Sequence, residues 1–170
     1  MTAFSSWGTG RRAAAALGAV SLGLVTLSAC EKPTPLATVT VGKDTVTAEA
    51  ACYDDGKVLG DLAASDKKAQ AEFTKCLTTE PKKTITVHPG DKLRLGVEPD
   101  VAEDGWLALS NSSPVTNISK QTYQVIPNAD QLFVNQQTRS LADSTVVSVV
   151  ASKGGKYTGV WNVKLKRAES

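Results

Sequence analysis

The chain has 170 residues, of which 41% are hydrophobic and only 5% aromatic, enough for one modest core. The composition excludes collagen, coiled coil and wholesale disorder. The formal charge is +2, but once Arg11 and Arg12 in the first 29 residues are set aside, 17 basic side chains face 17 acidic ones; no persistent basic excess argues for a nucleic-acid partner.

Arg11 and Arg12 are followed by AAAALGAVSLGLVTLSA, seventeen residues without a charge. A positive start, an apolar middle and small residues before a cleavage point are the plan of a secretory signal peptide. A transmembrane helix is the competing reading, and it needs about 20 strongly apolar residues. This run is shorter, rich in Ala and Gly, and gives way at once to Glu31, Lys32 and two prolines. It ends in Leu27, Ser28, Ala29 and Cys30.

Those four residues resemble the lipobox of bacterial lipoproteins. The resemblance implies a diacylglyceryl thioether on the Cys30 sulfur, cleavage between Ala29 and Cys30, and acylation of the new amino terminus. Two or three acyl chains hold a protein firmly on a bilayer, so the implied address is the extracytoplasmic face of the cell membrane. The alternative is an ordinary secretory signal beside an incidental cysteine. The Arg11-Arg12 pair leaves Sec and Tat export both open. Residues 31–37, EKPTPLA, read as an extended tether because Pro33 and Pro35 favour polyproline geometry. The expected organisation is a removed signal at 1–29, a lipidated cysteine and tether at 30–37, and one domain at 38–168.

With Cys30 carrying lipid, Cys52 and Cys76 remain, an even number in an oxidising compartment. A disulfide is expected. The alternative, a redox or metal pair, has neither C-x-x-C spacing nor more than one histidine to help it. Between the two cysteines, Leu59, Leu62, Ala69, Phe73, Cys76 and Leu77 include intervals of three and four. This predicts one short helix, with Ser65 as N-cap and Lys67, Lys68 and Lys75 in water.

Elsewhere the period is two. Val39, Val41, Val46 and Ala48 flank Gly42-Lys43-Asp44 as a hairpin would, with threonines on the opposite face. Ile85 and Val87 lead to a turn at Pro89-Gly90-Asp91 and then to Leu93, Leu95 and Val97. Further strands are expected at 106–109, 122–126, 131–134, 145–151 and 157–166. In the last, Tyr157, Gly159, Trp161, Val163 and Leu165 should share the core face and Asn162, Lys164 and Lys166 the solvent face. Trp161 is therefore expected in the core, while Leu107 and Leu109 compete with Trp106 for the inner side. The prediction is a mainly β chain, an Ig-like antiparallel sandwich with one short helix near its N-terminal strands.

The stretch VHPGDKLRLGV resembles the turn and strand common in Ig-like and cupredoxin-like sandwiches. A blue-copper centre needs two histidines, a cysteine and often a methionine; here His88 is the lone histidine, and its parity places it exposed beside the turn. No nucleophile elbow, zinc-protease, Walker or dinucleotide motif appears, so no enzyme and no cofactor is expected. Glu98, Asp100, Glu103 and Asp104 form the one local carboxylate cluster. They are weak candidates for Ca²⁺, because EF-hand spacing is absent, and a solvated loop is the plainer reading.

In organisation the chain resembles small lipoproteins of actinobacteria: an Arg-led signal, a lipobox before a Pro-Thr tether, two later cysteines and a β-rich domain ending in G-x-W-x-x-x-L-K. The resemblance implies a cell-surface location and brings no reaction or ligand. The expectation is a membrane-anchored, non-enzymatic binding module for a cell-wall component or envelope protein. The alternative is a small-ligand or Ca²⁺-binding carrier or sensor accessory.

Overall fold

Valine and threonine alternate through the first hairpin. Strands β1 (Ala37–Val41) and β2 (Asp44–Ala48) pair antiparallel with Val39 opposite Val46. Gly42, at φ +55°, supplies the left-handed backbone that a two-residue hairpin turn requires. The computed structural model describes residues 33–61, 67–135 and 138–168. Strands β3 (Ala50–Tyr53) and β4 (Gly60–Asp61), helix α1 (Lys67–Thr78), and strands β5 (Thr84–Val87) and β6 (Leu93–Val97) follow. Then come helix α2 (Pro99–Asp104), strands β7 (Trp106–Ser110), β8 (Ser113–Pro114) and β9 (Tyr123–Ile126), a 3₁₀ turn at Ala129–Phe133, and the long strands β10 (Ser144–Lys153) and β11 (Lys156–Arg167).

Two sheets result. The first has the order β2-β1-β6-β9. The second runs β3-β11-β10-β7-β8, with β4 and β5 also paired to β11. Val39, Leu93 and Leu95 of the first sheet meet Trp106, Val149 and Trp161 of the second in one apolar core. The mainly β sandwich is thus formed, with a single parallel pair, β5 on β11, among antiparallel neighbours.

The second sheet is buried on its other face as well. Phe73, Cys76 and Leu77 of α1 cover Val150, Tyr157 and Val160, and the Phe73 and Tyr157 rings lie 4.5 Å apart between centroids. This third layer settles the competition around Trp106. Trp106 and Ala108 face the sandwich core, while Leu107 and Leu109 face the α1 side. Trp106 is fully buried and its indole N–H donates to the Gln121 carbonyl at 2.7 Å.

Several expectations change. Strict alternation along β11 fails because Thr158 has no partner: Gly159 pairs with Ala151 but Tyr157 with Ser152. The bulge turns Tyr157 to the α1 side, away from Trp161. Asn162 lies under the end of α1 and not in solvent, since that face is covered there. The segment expected as a strand at 131–134 is the 3₁₀ turn, where the Asn128 side chain accepts from the Asp130 N–H at 3.0 Å. Local side-chain to backbone bonding of this kind competes with strand pairing. The acidic segment is helix α2, started by Pro99, whose missing N–H costs nothing at a helix start. Finally, the tether is fixed earlier than residue 38. Pro35 is buried, and its carbonyl accepts from the Trp161 indole N–H at 2.8 Å.

Candidate functional site

Leu27, Ser28, Ala29 and Cys30 lie outside the described residues, as do Leu62 and Ser65. Cys52 and Cys76 form a disulfide with Cα atoms 5.7 Å apart, joining β3 to the last turn of α1. Beside it, Asn162 donates to the carbonyls of Cys76 (2.8 Å) and Thr79 (3.0 Å) and accepts from the Ser148 hydroxyl at 2.7 Å. A side chain from β11 therefore satisfies carbonyls that the end of a helix leaves without partners. The two thiols are thus bonded to each other.

The four carboxylates at 98–104 do not gather at one point. Glu98 Oε1 accepts from the Leu36 N–H at 3.0 Å. Asp104 instead holds the Lys153 ammonium at 2.8 Å, on the rim of a depression of about 230 Å³ that Asp55 and Asp100 also line. Glu103 is exposed. Among the described residues no three His, Cys, Asp or Glu side chains gather as a metal-holding group, so a Ca²⁺ site at Glu98, Asp100, Glu103 and Asp104 lacks the convergence it needs. His88 is exposed and its Nδ1 lies 3.4 Å from Asp91 Oδ2. The same carboxylate accepts from the His88 backbone N–H at 2.8 Å, closing a turn with Gly90 at φ +80°.

The electrostatics are shallow. Lys82 bridges to Glu49 at 2.9 Å across a depression of about 420 Å³ and lowers that carboxyl's pKa by hydrogen bonding and charge. Asp104 raises the Lys153 pKa in the same way. Burial, with Glu72 contributing, raises that of the Tyr157 phenol. Both ion pairs lie at the surface, with Asp104 half-buried, where such pairs contribute little.

A more distinctive surface is the outer face of the first sheet, which the described residues leave uncovered. Its register aligns Thr47, Thr38, Gly96 and Tyr123 in one row across four strands, and Thr45, Thr40, Arg94 and Val125 in the next. Thr40 and Thr45 hydrogen-bond each other at 2.9 Å. The Thr38 and Thr47 hydroxyls have no partner among the described residues. Gly96 leaves a trough of about 370 Å³, lined also by Leu36, Thr38, Thr47 and Glu98. A Cβ on Gly96 would come no closer than 3.7 Å to its neighbours. Tyr123, in register with Gly96, is 61% exposed. Hydroxyls and a carboxylate border a bare floor, with the Tyr123 position next along the row on the neighbouring strand, a set that can hydrogen-bond and stack. The period-two threonines were visible in the sequence, but Gly96 and Tyr123 were not, because their place beside Thr38 depends on strand order.

No helix among the described residues is long and apolar enough to cross a membrane. No family model, curated protein or solved structure matches the chain.

Proposed function

We propose that this chain is a lipid-anchored extracytoplasmic module of the cell envelope that binds its partner without transforming it. The Cys52–Cys76 disulfide carries the reading. Such bonds persist in oxidising compartments, and this one uses both cysteines of the folded domain, leaving Cys30 as the single thiol for lipid. The seventeen uncharged residues before Cys30 supply an export signal. The docking of Pro35 on Trp161 supports a short stalk. The five residues from Cys30 to Pro35 span at most ~18 Å when extended, so the domain would stand close to the bilayer. The binding role draws support from an uncovered sheet face equipped for hydrogen bonding and stacking.

The decisive measurement is the intact mass of protein extracted from membranes. The expected result is loss of residues 1–29 and a gain of acyl mass at Cys30. A Cys30→Ala variant that is still cleaved at the same place and still sediments with membranes would overturn the anchor.

A further inference from the structure

We infer that the trough over Gly96, with Tyr123 beside it, is a binding site for a short, uncharged saccharide. The inference rests on the binding-module reading above and not on the lipid anchor. Sugars present hydroxyls around an apolar C–H face, so their sites combine hydrogen-bonding side chains with an exposed aromatic ring. Both elements occur in one row here. The Thr38 and Thr47 hydroxyls have no partner among the described residues, and Tyr123 follows across the bare backbone of Gly96. Glu98 Oε1 is held by the Leu36 N–H, which fixes the carboxylate at the trough rim.

Charge and area select the occupant. The two rows carry one cation, Arg94, and the rim one anion, Glu98, so neither a polyanion nor a polycation finds a complementary surface. Four strands of about five residues give a face of roughly 14 by 17 Å, or ~240 Å². A stable dimer buries ~800 Å² of accessible surface per partner, so two copies meeting here would need contacts well beyond these two rows. A trough of about 370 Å³ lies at the lower end of the small-ligand range.

Gly96 makes the site separable from the fold. A Cβ there would meet the Thr122 carbonyl and the Thr38 Cβ at 3.7 Å, ordinary van der Waals contact, and its φ is not left-handed, so Gly96→Val should fill the floor while suiting a strand. The test is titration of the full-length chain, in detergent, with cellotetraose, chitotetraose and maltotetraose, read by calorimetry and by amide chemical shifts. At least one probe should bind and shift Thr38, Gly96 and Tyr123. Gly96→Val should abolish binding with an unchanged or higher Tm, and Tyr123→Ala should weaken it by about tenfold. Failure of all three probes to bind, binding that survives Gly96→Val, or a concentration-dependent dimer that Gly96→Val dissolves would each overturn the site. Cys30→Ala should leave the titration unchanged, so loss of the anchor and loss of the site can be told apart.

Discussion

Asn162 shows how one polar side chain can join three elements of two layers. It is 4% exposed, reaches from β11 to two carbonyls at the end of α1, and accepts from Ser148 on β10. Replacing it with Ala removes all three bonds and leaves buried groups unpaired. A loss of about 2–3 kcal/mol is expected from urea unfolding. Trp161 has the corresponding role toward the N-terminus. Trp161→Phe keeps most of the ring but deletes the donor to the Pro35 carbonyl. That should cost about 1 kcal/mol, and limited proteolysis should begin to cut ahead of Ala37. Tyr157 contributes to the response to alkaline pH. Its phenol pKa is raised by burial, so the folded state keeps a proton that the unfolded chain releases near pH ~10. Stability should be unaffected below that pH and fall as pH rises through it. Tyr157→Phe should flatten this fall in a Tm-against-pH series.

At the scale of elements, β11 is the organising strand, and its bulge is a working part. Without the unpaired Thr158, Tyr157 would point into the sandwich core, already filled around Trp161, and the α1 layer would lose its aromatic partner for Phe73. Helix α1 is short and has no acidic residue in its first turn. A helix of this length is marginal alone. It is held by apolar contact, by Asn162 and by the disulfide, which closes a sequence separation of 24. The double variant Cys52→Ala/Cys76→Ala should lose roughly 3 kcal/mol on the chain-entropy account. Far-UV circular dichroism should show helical signal fading before the β signal as temperature rises. Coincident loss of both would show that α1 is not a separable layer.

For the whole molecule, three stacked layers explain why so much of β10 and β11 is buried: one face of each meets the first sheet, and the other meets α1. The first sheet has a covering layer on one side alone among the described residues. That asymmetry leaves its outer face uncovered among the described residues, on the side of the fold where Leu36 and Glu98 tie down the start of the domain. The mainly β class, the hairpin at Gly42, α1, the disulfide and the exposure of His88 were all legible in the sequence. Each follows from local periodicity, turn chemistry or cysteine count. Alternation implies one wet face, so it misplaced Asn162 and Tyr157, which lie under a helix packed on the second face of the sheet. The acidic cluster was legible as a cluster, but whether its members converge depends on the α2 backbone, which sends Glu98 and Asp104 to different neighbours. By itself the sequence determined the β-rich class and the pairing of its cysteines, because these depend on residues near one another or few in number. Tertiary structure alone decided the third layer, the bulge and the row from Thr47 to Tyr123, because strand order brings together residues whose separation along the chain carries no local signal.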